Sequence, residues 1–311
     1  MKKYVITGGS GFIGSGLVRA LQARSDAQIV VIDSLLTGHK KNLDGLAAPV
    51  AFHQIDIRDY DAIAPVIAGA DTVFHLAAIP SVPKSIADPL PSHDVNINGT
   101  FAVLRAAKDG GVRRVVYAAS SSAYGDTDVL PKVETMKPLP KSPYALQKLV
   151  GEYYCSVFTS CFALETVGLR FFNVYGPRQD PMSAYSGVLS LFMKHLIART
   201  APAIYGDGEQ TRDFTFVEDV AALIIKASTA GVPGTTYNAG NGGRYSLNTI
   251  WSMLQKIEGV DIKPVYGPGR AGDVRDSQAD TTAAKAALGH DPQFTIEEGL
   301  RRTLDWYKTS L

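Results

Sequence analysis

The sequence predicts an α/β fold: a doubly wound parallel sheet with a smaller α/β lobe attached. Two observations carry this. Short apolar runs alternate with helical patterns through the first half, and after about residue 173 the texture turns to loops rich in Gly, Pro, Arg, Asp and Gln. Regular alternation of strand and helix argues for a parallel sheet covered on both faces.

Runs near 3–7, 28–33, 50–55, 72–76, 113–119 and 164–170 read as strands. Segments 13–23, 95–109 and 144–158 read as helices between them. Beyond residue 173, loop segments 176–187, 205–213 and 266–279 alternate with helical patterns near 188–199, 218–228, 247–258 and 281–287. The expected division is a dinucleotide-binding domain over 1–172, with 214–243 returning to it. The lobe then comprises 173–213 and 244–311. Its polar loops are natural substrate contacts.

The chain has 311 residues, 45% hydrophobic and 20% charged, enough for a large core. Net charge is +1, which gives no global attraction to nucleic acid or anionic membrane, so any bound anion is held by local groups. Cys155 and Cys161 match no zinc spacing and read as packing residues. No HExxH motif is present, His75 reads as packed beside the sheet, and no metal is expected. No apolar run is long enough to span a bilayer, and a reducing, cytoplasmic setting is the expectation.

Gly8-x-x-Gly11-x-x-Gly14 follows the first strand and opens a helix. Glycines there let the backbone turn and approach a pyrophosphate, and the helix N-terminus offers N–H groups to it. Asp33 ends the second strand, where a carboxylate accepts from an adenosine ribose and repels a 2′-phosphate. The expected cofactor is therefore NAD. Asp56 and Ile57 are read as ending a later strand, within reach of the adenine. Leu76, Ala77 and Ala78 follow the fourth strand and leave room for the cofactor.

Tyr144 and Lys148 lie four apart on one helical face, behind Ser142 and Pro143, which suit an N-cap and a first helical position. A neighbouring ammonium favours the phenolate, so Lys148 is expected to lower the Tyr144 pKa and make it a general base. A serine cluster, Ser120-Ser121-Ser122, closes an apolar run upstream.

Together with Asn98-Gly-Thr100, Ser120-Ser-Ser-Ala-Tyr-Gly125, Arg170-Phe-Phe-Asn-Val-Tyr-Gly176 and Arg212-Asp213, these motifs run through nearly the whole chain in order. In them the chain resembles the extended short-chain dehydrogenase/reductases, and among these the nucleotide-sugar epimerases. The resemblance implies a Rossmann domain, tightly held NAD, a UDP-sugar substrate and a homodimer packed through helices 95–109 and 144–158. It makes Ser120, Tyr144 and Lys148 catalytic, with Ser121 as the local competitor of Ser120, and adds Phe12, Ile13 and Phe171 to the cofactor contacts. Arg212 and Arg270 would neutralise the diphosphate, and Asp273 would hold the uridine ribose.

Ser121 and Ser122 stand where related dehydratases and decarboxylases carry acidic residues, which favours epimerisation at C4. Ser277 occupies a position that is tyrosine in many glucose-restricted 4-epimerases, so the pocket would admit an N-acetyl group at C2. Ser81, Ser122, Asn173 and Gln179 match pocket walls of UDP-N-acetylglucosamine 4-epimerases, as do Arg178-Gln-Asp-Pro181 and Tyr185; Pro80 departs from that pattern. A UDP-glucuronate 4-epimerase or decarboxylase, with Arg178 or Arg275 on the carboxylate, is the alternative. A non-catalytic NAD-sensing regulator is the reading from another class.

Overall fold

In the computed structural model, which describes residues 1–24, 27–180, 187–269 and 274–310, the strand runs of the first half become one parallel sheet. In chain order its first elements are β1 (Lys2–Thr7), α1 (Phe12–Gln22), β2 (Ala27–Ile32), β3 (Ala51–His53), α2 (Tyr60–Ile67) and β4 (Thr72–His75). Then come α3 (Val82–Ala87), α4 (Pro89–His93), a π-helical turn over Asp94–Gly99, α5 (Thr100–Asp109), β5 (Arg114–Ser120), α6 (Pro143–Phe162) and β6 (Glu165–Phe171). The rest comprises β7 (Asn173–Tyr175), α7 (Val188–Ile197), β8 (Ala203–Tyr205), β9 (Thr211–Arg212), β10 (Phe214–Phe216), α8 (Val217–Ala227), β11 (Thr235–Ala239), β12 (Tyr245–Ser246), α9 (Leu247–Glu258), β13 (Val265–Gly267), α10 (Thr282–Leu288) and α11 (Ile296–Ser310).

The main sheet has the order β11-β6-β5-β4-β1-β2-β3, and every neighbouring pair is parallel. This is the Rossmann order with β11 added at one edge, and it reverses direction beside β1, where a crevice opens at the strands' carboxyl ends. Alternate side chains serve opposite faces. Val5, Val73, Val115 and Tyr117 pack under α2, α5 and α6 with Ile63, Val103 and Phe158. Ile6, Phe74, Val116 and Leu169 pack under α1 and α8 with Leu17, Val18 and Leu223. A run that is apolar at every position is what a sheet covered on both sides requires.

A third core, with Phe192, Phe214, Trp251 and Leu300, joins α7, α9 and α11 to β10. Three two-stranded ribbons, β7 with β10, β9 with β12 and β8 with β13, carry the lobe's loops. Helix α10 packs against β11 and α8, and its Ala284 and Leu288 lie in the core of the main sheet.

Three local differences from the sequence reading have physical causes. The strand near 50–55 ends at His53, and Asp56 starts a turn in which it accepts from the Arg58 backbone N–H, Nε and Nη2 at 2.9, 3.0 and 2.7 Å. Asp56 therefore does not end a strand. The helix expected over 95–109 begins with a π-helical turn, because Asn96 is pinned to both backbone groups of Ile79 while Thr100 Oγ1 donates to the Asn96 carbonyl. Helix α11 and strand β11 add to the expected elements.

Candidate active site

The carboxyl ends of β1, β4, β5 and β6 define the crevice. At β1, Gly8 has φ +73°, and a Cβ there would lie 2.7 Å from the Ala77 amide nitrogen. A Cβ on Gly14 would lie 2.1 Å from the Gly8 carbonyl oxygen. The turn thus packs so closely that side chains at these positions would break it. Helix α1 starts at Gly11 without a side-chain cap, and its first turn has no acidic residue. Its orphan N–H groups suit an anion. Ser10 Oγ, buried in the same turn, has no protein partner. Phe12 and Ile13 occupy the first turn of α1 and pack toward the lobe core.

Asp33 sits just past β2, and its two oxygens accept from the amides of Ser10 and Leu35, both at 2.9 Å. One lone pair on each oxygen remains for a ribose. Ile57 is buried against Gly99. Leu76 N donates to the Thr7 carbonyl, placing Leu76, Ala77 and Ala78 beside the glycine turn. These residues fit a dinucleotide: a tight anion cradle, an unpartnered hydroxyl and a carboxylate at the ribose end.

His75 lies wholly buried between Thr7 Oγ1 at 2.7 Å and Thr100 Oγ1 at 2.9 Å. Burial drives its pKa down to about 3, so it is a neutral strut from β4 to α5.

Ser120 ends β5, paired in register with Phe171 at the end of β6. Its Oγ accepts from the Ser122 hydroxyl at 2.8 Å and the Ser122 amide at 3.2 Å. Ser142 caps α6 by accepting from Ala145 N at 3.2 Å, with Pro143 following, as the spacing predicts. The cap fixes where the first turn of α6 begins, and the Tyr144 amide donates to Ser85 Oγ at 3.1 Å. Lys148 Nζ donates to the Ala118 carbonyl at 2.9 Å and lies 5.2 Å from the Tyr117 ring centroid.

The electrostatics differ from the sequence expectation in one respect. Burial raises the Tyr144 pKa, and the hydrogen bond with Ser120, rather than the charge of Lys148, pulls it back. Desolvation of the phenol outweighs the ammonium, which is turned toward Ala118. Burial also lowers the Lys148 pKa to about 8, opposed by Cys155 and Glu152.

The lobe residues meet the sheet at β7. Asn173 N donates to the Asp213 carbonyl at 3.0 Å, next to Arg212. Ser277 N donates to the Thr211 carbonyl at 3.1 Å, on the other side of Arg212. Arg212 Nη1 donates to the carbonyls of Thr211 and Arg275 at 2.8 and 3.1 Å. Asn173 and Gln179 line one small cavity with Tyr175, Val188 and Phe214. Ser81 caps α3, accepting from Lys84 N at 3.2 Å. Arg270, Asp273, Pro181 and Tyr185 lie outside the described residues.

The sequence reading passes over several buried polar groups. Asp213 accepts from the amides of Asn241, Gly242 and Ala279 at 2.8, 2.9 and 3.0 Å, tying β11 and the Ser277 segment to β9 and β10. Gln147, one turn behind Tyr144, joins Asn96 to Ser92. Glu152 pairs with Arg170 of β6, both 6% exposed. The signal that could have found Glu152 is its spacing, four residues beyond Lys148.

A family model described as the NAD dependent epimerase/dehydratase family matches residues 4–240. A UDP-glucose 4-epimerase of Mycolicibacterium smegmatis is 36% identical over 309 residues, covering 98% of each chain. Among solved structures, a UDP-N-acetylglucosamine 4-epimerase from Methanobrevibacter ruminantium, in complex with UDP-N-acetylmuramic acid, superimposes with a TM-score of 0.95 at 35% identity over 100% of this chain and 99% of that one. A Thermus thermophilus UDP-glucose 4-epimerase in complex with NAD gives 0.89 at 32% identity, over 99% and 100%. With the glycine cradle, the Ser–Tyr–Lys group and these likenesses along its whole length, this chain belongs to the NAD-dependent epimerase/dehydratase family of extended short-chain dehydrogenase/reductases, and its cofactor is NAD.

Proposed function

We propose that the enzyme inverts C4 of a UDP-hexose by transient oxidation, and that it accepts N-acetylated as well as plain sugars. The observation that carries the reaction type is the Ser120–Tyr144–Lys148 group, half-buried at Ser120 and Tyr144 and buried at Lys148, with serines, not carboxylates, beside Ser120. Elimination of water needs an extra acid–base pair at C5–C6, which Ser121 and Ser122 cannot supply. The 4-epimerase names and bound UDP-sugars of the similar proteins support the substrate class.

NAD, which the glycine turn after β1, Asp33 and the segment Leu76-Ala77-Ala78 would hold, would supply the two-electron acceptor that also returns the electrons. Tyr144 takes the proton from the sugar O4 as the C4–H bond breaks and gives it back in the second half. The two halves need opposite protonation states of one phenol. Burial favours the phenol required for the return, while the hydrogen bond with Ser120 favours the phenolate required for the start. Ser120 holds O4 within reach of Tyr144. Arg212 and Arg270 neutralise the diphosphate, Asp273 takes the uridine ribose, and Ser81, Ser122, Asn173, Gln179 and Ser277 bound the sugar.

Arg275 is bound by Asp207 through Nη1 and Nη2 at 3.3 and 3.0 Å, on the surface. This withdraws Arg275 from a uronate carboxylate, and the uronate alternative then rests on Arg178, whose buried Nε has no protein partner. We divide the chain functionally into the sheet domain, with 214–243 returning to it, and a UDP-sugar lobe from 173–213 and 244–311, of which α10 packs back on the main sheet. We place the enzyme in the cytoplasm, where NAD is plentiful; among the described residues no helix is long and apolar enough to cross a membrane. Fractionation with secreted and cytoplasmic markers tests that placement, and recovery with the secreted markers contradicts it.

A homodimer is the assembly we propose. Leu146, Tyr153 and Val157 form an exposed apolar stripe on α6, with Phe101 of α5 and Phe162 beside it. Exposed residues at this spacing on long helices suit a two-fold helical interface. Sedimentation velocity should show a dimer that Tyr153→Glu with Val157→Lys converts to monomer. A monomeric wild-type protein at micromolar concentration rules the interface out.

Tyr144→Phe keeps the ring and removes the proton carrier. It should still bind NAD and UDP-sugar but lose about 10²–10⁴ in turnover. Ser120→Ala should be slowed strongly and Ser121→Ala little. Near wild-type turnover of Tyr144→Phe, measured by separating UDP-sugar products, places the base elsewhere.

Ser277 is half-buried on a segment fixed to Thr211 on one side and Lys132 on the other. If Ser277 faces the sugar, a tyrosine there needs room that a sugar-filled pocket cannot give without strain. Ser277→Tyr should abolish kcat/KM for UDP-N-acetylglucosamine while sparing UDP-glucose in part. Equal loss on both sugars means that Ser277 does not face C2.

A further inference from the structure

We propose that Glu152 is a positioning residue for Lys148, holding it aimed at the carboxyl end of β5, and that Arg170 and Tyr124 exist to hold Glu152. The inference deepens the epimerase reading and rests on it only for the turnover measurement below. Tyr144, Lys148 and Glu152 stand at positions i, i+4 and i+8 of α6, one above another on the face packed against β5 and β6. Arg170 Nε donates to Glu152 Oε1 at 3.0 Å and Nη2 to Oε2 at 2.7 Å, a side-on bidentate pair. The guanidinium carbon lies 4.6 Å from the centroid of the Tyr124 ring. The Tyr124 hydroxyl in turn donates to Asn238 Oδ1 at 2.6 Å. Tyr124 belongs to the same short turn as Ser120, so the catalytic serine and the Glu152 pair share one support.

A buried ion pair contributes little net stability compared with apolar residues of the same volume, because desolvating both charges offsets their attraction. Stability alone therefore gives this pair no reason to lie one turn behind Lys148. Its place gives one. On its own helix Lys148 is faced by Tyr144, Glu152 and Cys155. From β5 come the Tyr117 ring and the Ala118 carbonyl. From β4 comes His75, which burial keeps neutral. From β6 comes Arg170, turned to Glu152. Of these groups Glu152 carries the one permanent negative charge. It acts against the burial that makes Lys148 easier to deprotonate. Arg170 in turn opposes the burial that would protonate Glu152.

The sign follows directly. Burial keeps the Cys155 thiol protonated, so removing the Glu152 carboxylate takes away the permanent anion that opposes burial; Lys148 then loses its proton at lower pH, and turnover should fall off at lower pH on the alkaline side. The variants are Glu152→Gln, Glu152→Asp, and the double variant Glu152→Gln/Arg170→Met, which leaves no unpaired buried charge and keeps the test open if the single variant unfolds. Three readouts are taken on the NAD-loaded protein: thermal midpoint, the pH profile of kcat, and titration of Lys148 by NMR of ¹³Cε-labelled lysine, assigned with Lys148→Met. Glu152→Gln should titrate Lys148 lower by up to about 1 pH unit, with the alkaline limb of kcat shifted alike, and the double variant should shift the same way by less, because it also removes the Arg170 cation. The double variant should regain thermal stability without regaining the profile. Glu152→Asp should stay near wild type in the titration. A double variant with wild-type Lys148 titration and a wild-type limb overturns the proposal and leaves the pair a purely structural one. Should the wild type turn over no UDP-sugar, the epimerase reading fails, and the NMR titration still decides the role of Glu152.

Discussion

The burial of one face of α6 against β5 and β6 is the constraint on which the site depends. That face carries a phenol, an ammonium and a carboxylate in successive turns, and an apolar core cannot take three such groups unless each finds a partner. Tyr144 finds Ser120, Lys148 finds the Ala118 carbonyl, and Glu152 finds Arg170. The helix cannot rotate or slide without breaking all three. Gly151 lets it come this close: a Cβ there would lie 2.1 Å from the Tyr117 hydroxyl oxygen. Tight packing and polar satisfaction thus fix the proposed catalytic side chains beside the carboxyl-terminal half of β5.

The lobe is bound to this frame by a second buried carboxylate. Asp213 collects amides from β11's exit and from the Ala279 segment, and Asn238 collects carbonyls from Lys132 and Asp280. Burial raises the Asp213 pKa, and three backbone N–H groups act against that rise. Because Ser277 lies on the segment so held, the wall that is proposed to sort sugars is built on backbone hydrogen bonds rather than on a loose loop. Selectivity then follows from side-chain size at a fixed position.

Much of this was legible in the sequence, for local reasons. Six strands of the main sheet show as apolar runs because both faces of the sheet are covered. The first turn of α6 shows in Ser142 and Pro143, and the cradle in Gly8, Gly11 and Gly14. What escaped depends on long-range partners. Asp56 looks like a strand end until Arg58 folds back on it. The direction of the Tyr144 shift depends on desolvation where α6 packs against β5 and α3, which no spacing reveals. Arg170 reads as part of a motif, and only the register of β6 beside α6 shows that it meets Glu152. Helix α11 is different: Ile296, Leu300, Thr303, Leu304 and Tyr307 keep helical spacing in plain view.

The central claim is that the same hydrogen leaves C4 and returns to it, with Tyr144 moving only the proton of O4. A UDP-hexose carrying deuterium at C4, incubated with the enzyme in ordinary water until both epimers are present, tests this most directly. The account predicts that product and recovered substrate keep the deuterium at C4, and that turnover shows a primary isotope effect. Loss of the label to solvent would mean that a base removes the carbon-bound hydrogen as a proton, and the account of this site would be wrong.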